Sequence, residues 1–228
     1  MILLYILIAI AFGLSLWAQF KVKGNFNKWE QVPASSGMTG AQAARTLLDR
    51  QGLYDVPVEP VPGRLTDHYD PISRAVRLSE PVYYGTSIAS LSVACHEVGH
   101  AIQHKVHYPM LVLRHRMFPV VNFASGVAPF LLMGGFLFQA LNLIGIGIIF
   151  FSAAVAFQVV TLPVEFNASS RAKALMISEG FIRNHEERGV NKVLGAAALT
   201  YVAAALLSLL ELIRYILIFV GQSQNSED

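Results

Sequence analysis

The residues equipped for chemistry begin with His96-Glu97-Val98-Gly99-His100. Two histidines four positions apart on a helix share one face, a turn from each other, so both imidazoles can bind a single zinc ion. Glu97, beside the first of them, is placed to take a proton from a water activated by that ion and hand it to a leaving amine. The preceding Ile88, Leu91, Val93 and Ala94 continue a semi-apolar helical segment, so the pattern falls on the element it needs. The bland alternative is a pair of solvated or core histidines, for which two imidazoles and a carboxylate at this spacing have no ordinary packing purpose.

Catalytic zinc usually takes three protein ligands and keeps a fourth position for water. His104 lies on the same face, but a straight helix carries it about 6 Å beyond His100, too far to share a tetrahedral ion, and a solvated role is expected for it. His68, His107 and His115 have no spacing argument. Glu165 has one: it follows 48 uncharged residues and stands directly after Leu162-Pro163-Val164, where an apolar span returns to the side bearing the histidines. A carboxylate at that boundary is costly unless a cation neutralises it. Its other reading is an interfacial charge that marks the end of the span.

The elements that must hold these groups are set by an apolar composition. The 228 residues are 54% apolar and 14% charged, with a mean hydropathy of +0.49, which excludes disordered, collagenous and nucleic-acid-binding classes and makes a lipid bilayer a partner. Residues 1–20 carry no charge and are long enough to span as a first transmembrane helix, with Lys21 and Lys23 following the run instead of preceding it as a cleaved leader requires. Residues 118–163 read as a transmembrane hairpin, Pro119 to Phe138 and Leu143 to Thr161, turning at Gln139 to Asn142 and packing closely at Gly134-Gly135 and Gly145/Gly147. Residues 195–220 form a fourth span, in which Glu211 and Arg214 either pair on one face or mark its end. Residues 221–228 are a polar tail. The one cysteine, Cys95, is read as a small buried residue.

Residues 21–117 read as a small mixed domain carrying the zinc-binding helix, and 164–194 as a polar helical segment carrying the third ligand. Thr39 caps a helix through Arg50 that ends at Gly52; Arg64 to Tyr69 and Arg74 to Ser79 make a hairpin across Asp70-Pro71-Ile72-Ser73; Thr86 or Ser87 starts the long helix through His104. The fold class expected is a mainly α integral membrane protein of about four transmembrane helices with a small α+β zincin-like domain on one face. Eleven Lys and Arg fall in 21–117 and five in 164–194, against none at the 139–142 turn or in the tail, so the polar segments and the active site are expected in the cytoplasm and both termini outside.

The strings HEVGHAIQH (96–104), LPVEFNASSRA (162–172), LTDHYDP (65–71) and VRLSEPVY (76–83), with the apolar hairpin between the two metal motifs, resemble the YugP-type neutral zinc metallopeptidases of bacterial membranes over nearly the whole chain. The resemblance implies one zinc held by His96, His100 and Glu165, Glu97 as general base and acid, and a multi-pass protein of the bacterial plasma membrane. That family is similar in turn to HtpX-like and prenyl-protein-processing peptidases, in which an aspartate follows the ligand glutamate by four residues. Ser169 stands there in this chain, able to hydrogen-bond an imidazole but not to supply a carboxylate's charge. Asn167 is a further second-rank contact.

His185 and Arg171 are oxyanion candidates for which a solvated or headgroup-facing role is the stronger reading, Tyr83 and Tyr84 either share that role or mark the interface, and the Arg74–Ser79 strand offers an edge for an extended substrate where it does not simply pack as a hairpin. The reading is an endopeptidase acting on membrane-associated or unfolded proteins, with a membrane-protein regulator as a further partner. A non-catalytic zinc-binding scaffold or quality-control adaptor is the alternative, against which stands Glu97, a carboxylate that a purely structural site does not need. An ion pathway is disfavoured because the histidines lie in a segment of ordinary soluble character.

Overall fold

The computed structural model describes residues 1–225. In chain order the elements are α1 (Ile2–Glu30), α2 (Gly40–Arg50), β1 (Val58–Val61), β2 (His68–Asp70), β3 (Ala75–Ser79), α3 (Glu80–Tyr83), α4 (Ile88–Lys105), α5 (Pro109–Leu137), α6 (Leu141–Ser178), a 3-10 turn (Asn184–Glu186) and α7 (Glu187–Asn225). The protein is a mainly α membrane protein with a small three-stranded sheet. The chain divides into two compact units. One comprises Met1–Trp17, Val112–Leu162 and the residues from Thr200 onward, the other Ala18–Leu111 and Pro163–Leu199.

The first unit is apolar. Four helical stretches among the described residues are long and apolar enough to cross a membrane: Ile2–Glu30, Pro109–Leu137, Leu141–Ser178 and Asn184–Gln224. Large side chains such as Phe130 and Leu137 stand exposed, as lipid-facing residues do, while Ala124, Ala128 and Ile144 are buried between helices. α5 and α6 close on each other at small residues. A Cβ on Gly135 would lie 2.6 Å from Ile144 Cγ1, and one on Gly147 would lie 2.8 Å from Leu132 Cγ, whereas Gly134 faces open space and Gly145 makes only ordinary contact with Phe219. The turn between them is shorter than expected, with Gln139 at φ 54°. α7 runs unbroken past Glu211 and Arg214, whose side chains pair. It continues to Asn225, so much of the expected tail is helical; residues 226–228 lie outside the described residues.

The second unit is a small α+β assembly. The Thr39 hydroxyl accepts from the Gln42 N–H at 3.1 Å while Gln42 Oε1 accepts from the Thr39 N–H at 2.9 Å, a reciprocal cap that starts α2. Ala43, Ala44, Leu47 and Leu48 of α2 are buried, and they join Val76 and Leu78 of β3 and Ile88 and Leu91 of α4 in one core. Ser87 caps α4 through the Ser90 N–H at 3.1 Å. The hairpin is present but shorter than its sequence runs. β2 pairs antiparallel with β3 (Tyr69↔Val76), and Asp70 holds the turn by accepting from the Ile72 N–H at 2.8 Å.

The expectation of a free edge along Arg74–Ser79 is overturned. The strand order is β1-β3-β2, and β1 pairs parallel with β3 from Val58↔Val76 to Val61↔Ser79, so β3 is the interior strand. β1 went unread because Val58-Glu59-Pro60-Val61 is short and proline-broken, and parallel pairing leaves no local turn signal.

Candidate metal centre

Two helices of the second unit build the site. α4 contributes His96 and His100 from one face, and the segment of α6 beyond Pro163 contributes Glu165. One ligand atom from each of the three lies within 4.8 Å of the others. His96 Nε2 stands 3.3 Å and His100 Nε2 3.6 Å from Glu165 Oε2, and the two Nε2 atoms are 3.2 Å apart. Zinc with ligand distances of about 2.0–2.1 Å sets the corners of its tetrahedron roughly 3.3 Å from one another, so all three spacings fit. Glu165 is 3% exposed, a buried carboxylate that wants a cation.

The hydrogen bonds behind the ligands settle which atoms carry lone pairs. The Gln103 amide nitrogen donates to the Val164 carbonyl at 2.8 Å and to Asn167 Oδ1 at 3.0 Å, so its oxygen is the atom facing His100 Nδ1 at 3.0 Å. An amide oxygen only accepts. His100 Nδ1 therefore bears the proton, and in the neutral ring Nε2 presents a lone pair to Glu165 and His96. Two acceptors facing each other at this distance repel unless a cation or an extra proton lies between them, which is the donor set a divalent metal resolves. Arg171 Nε donates to Asn167 Oδ1 at 2.8 Å, completing a row Arg171–Asn167–Gln103–His100. The Ser169 hydroxyl lies 3.1 Å from His96 Nδ1.

Of the residues singled out by sequence, the structure brings His96, His100, Glu165, Glu97, Ser169, Asn167 and Arg171 into this region, the last by way of Asn167. His185 does not join the cluster; it is exposed in the 3-10 turn. Glu97 is 7% exposed and receives a hydrogen bond from the Tyr69 backbone N–H of β2. Burial pushes its carboxyl up to about 7; His96 opposes the rise, and the carboxylates of Glu165 and Asp67 add to it. A cation in the site would pull it down again.

Gln103, wholly buried against His100, is the member of this cluster that sequence reasoning missed. The signal was available: it follows His100 by three positions on the same helical face, where an imidazole that ligates through Nε2 needs an acceptor for Nδ1. Replacing Gln103 by Ala should weaken zinc binding by about 10- to 100-fold, measured by competition with a chelator. Wild-type affinity in that variant would remove the amide from the support of His100.

Gly99, the fourth residue of the motif, is where α4 and α6 touch. A Cβ there would lie 2.7 Å from the Ala168 carbonyl oxygen and 3.2 Å from its Cα. Gly99→Ala should force the helices apart, lengthen the histidine–Glu165 spacing, and cost about 1–3 kcal/mol of stability together with at least a ~10-fold loss of zinc affinity. Thermal unfolding and chelator competition read the two effects, and retention of full affinity would show that this contact does not set the ligand spacing.

The family model described as "Putative neutral zinc metallopeptidase" matches residues 4–220. The "Putative membrane protease YugP" of Bacillus subtilis (strain 168) is 69% identical over 225 residues, 98% of this chain and 100% of the relative. No solved structure matches significantly.

Proposed function

The chain belongs to the family described as "Putative neutral zinc metallopeptidase", and from that premise we propose that it is a membrane-embedded, zinc-dependent endopeptidase cutting membrane-associated or unfolded proteins. The observation that carries this reading is the trio of ligand atoms at tetrahedral spacing with a second, non-ligating buried glutamate beside it. His96, His100 and Glu165 would hold one zinc per chain, and bound there the metal supplies Lewis acidity toward the scissile carbonyl and the attacking water. Everything else falls to the protein. Glu97 accepts the water's proton and delivers it to the leaving amine, its buried carboxyl standing next to the ligand His96 without being a ligand itself. Gln103 and Ser169 hold the imidazoles in ligating orientation, Asn167 fixes Gln103, and Arg171 fixes Asn167.

This assignment gives Arg171 a positioning role through its Nε at Asn167 and leaves the oxyanion role open to its terminal N–H groups. The alternative of a metal-holding scaffold leaves Glu97 without a purpose, since a buried carboxyl that does not ligate is a group a structural zinc site has no reason to keep. The deciding experiment measures the zinc content of purified protein alongside hydrolysis of an unfolded generic substrate. The expected result is about one zinc per chain and cleavage that a chelator abolishes and zinc restores; a zinc-loaded protein that cuts nothing would favour the scaffold.

The protein is a membrane protein. We further propose that it is a multi-pass protein of the bacterial plasma membrane with the zinc-binding unit in the cytoplasm and both termini outside, on the bias of Lys and Arg toward residues 21–117 and 164–194. A reporter fused after Asp228 should be active outside the cytoplasm, and activity inside would reverse the orientation.

A further inference from the structure

The second unit has an end from which the apolar helices leave. Val164 is the last of the 48 uncharged residues before Glu165, and the Gln103 amide donates to its carbonyl at 2.8 Å. α4 runs antiparallel to this part of α6, because Gly99 meets Ala168 one turn further from the uncharged run. The last residues of α4 and its cap, His104 to Val106, therefore reach the level at which α6 becomes uncharged, and the chain goes on through Leu111 into the span of α5.

The sheet is aligned the same way. Arg64, ahead of β2, pairs at 2.8 Å with Glu30, the last residue of α1, whose charge-free run lies at its other end. Further along, Tyr69 of β2 places its hydroxyl 2.8 Å from His104 Nδ1. β2 thus runs toward the spans, and the turn that follows it, residues 71–74, stands at that end, with Arg74 beside His104 and His107. The loop after α2 comes to the same place, its Gln51 carbonyl held by Lys105.

Three apolar side chains at this end lie open: Ile72 is 94% exposed, Tyr54 76% and Val106 51%. Ile72 does not sit on a loose loop. Asp70 Oδ1 accepts from the Ile72 N–H at 2.8 Å and the Ser73 N–H at 3.3 Å, while its other oxygen accepts from the Ser73 hydroxyl at 2.8 Å and pairs with Arg77 at 2.6 Å. The turn is built to hold an isoleucine at its tip, and the carboxylate that builds it is neutralised. An aliphatic side chain fixed in that position gains only if an apolar medium covers it. The bilayer is such a medium, and the chain enters it from this end.

We propose that the turn 71–74 is a membrane-contact element in which Ile72 inserts among the lipid headgroups and upper acyl chains, with Tyr54 and Val106 beside it at the interface. The occupant is the lipid that the spans cross, and the attraction is apolar, so no anionic headgroup is required. Such a seat fixes β2, the outer strand whose Tyr69 N–H holds Glu97, at the membrane surface. The inference stands apart from the peptidase reading.

The test uses the full-length chain in vesicles of phosphatidylcholine, which carries no net charge. A nitroxide is attached to I72C, Y54C or V106C, and for comparison to Y84C, an exposed position just ahead of α4 and so at its opposite end; Cys95 is wholly buried and stays unlabelled. All four side chains lie at the surface, and the unfolding temperature of each labelled protein checks its fold. Collision of the label with oxygen, which concentrates in lipid, is compared with collision with a water-soluble nickel chelate. The oxygen-to-nickel ratio should be at least ~3-fold higher at position 72 than at position 84, with positions 54 and 106 shifted in the same direction. Equal ratios at 72 and 84 overturn the proposal. So does a label at 72 shielded from both reagents, which would mark a protein partner or a second copy of the chain on the turn. None of these readings needs activity: a chain that cuts nothing leaves the seat standing, and a working peptidase with position 72 in water loses only the seat.

Discussion

Glu97→Gln is expected to lower hydrolysis by about 10²–10⁴-fold while zinc stays at about one per chain. The amide keeps the size of the carboxyl and touches none of the three ligand atoms, so metal binding should survive. What it cannot do is accept a proton. A second readout separates catalysis from structure. In the metal-free protein the Glu97 carboxyl titrates near 7 against an ordinary value of 4.5, because burial favours the neutral form. Between those values the unfolded chain has released the proton and the folded one has not, so raising the pH through this window costs the folded state stability, up to about 3 kcal/mol. Glutamine removes that cost. The metal-free variant should therefore unfold at a higher temperature than the wild type at pH 7.5 and at nearly the same temperature at pH 4.5. Lost activity with gained stability marks a residue kept for chemistry; lost stability at pH 7.5 would mark a structural one, and full activity in the variant would end the acid–base assignment.

Legibility in the sequence followed the range of the interaction. The caps at Thr39 and Ser87, the Asp70 turn, the apolar helices and the His96/His100 pair are each encoded within a few residues, and the structure has all of them. What escaped depends on contacts between distant segments. Gly99 reads as the filler of a motif until α6 lies against it, and Gln103 reads as a polar helix residue until Val164 and Asn167 give its amide a direction. His104, expected in solvent, is half-buried against Tyr69 because β2 packs beside α4. β3 became an interior strand through a parallel partner whose sequence carries no strand signal. Glu165 is the instructive exception: a long-range member of the cluster that was still visible, because one carboxylate after 48 uncharged residues is conspicuous on electrostatic grounds alone.

That residue gives the other large effect. Glu165→Ala should reduce zinc affinity by well over the ~10- to 100-fold expected for a supporting contact, since it removes a ligand and the only negative charge among the three. A water filling the vacated corner would bring neither the negative charge nor an anchor to α6. The consequence extends to folding. Zinc bound to the native state but not to the unfolded chain stabilises by about 2.7 kcal/mol at a free concentration 100 times its dissociation constant. Wild-type protein should accordingly show a zinc-dependent rise in unfolding temperature, and Glu165→Ala should abolish it at the same concentration. Glu165→Asp gives the discriminating comparison, because it keeps the charge but withdraws the carboxylate by one methylene, more than 1 Å on a helix held in place by the Gly99 contact. A ligand should be sensitive to that retreat, losing most of its zinc-dependent stabilisation, whereas a charge that only marks the end of a span should tolerate it. Undiminished zinc content in the alanine variant would leave two histidines without a third partner and would remove the basis for a catalytic metal in this protein.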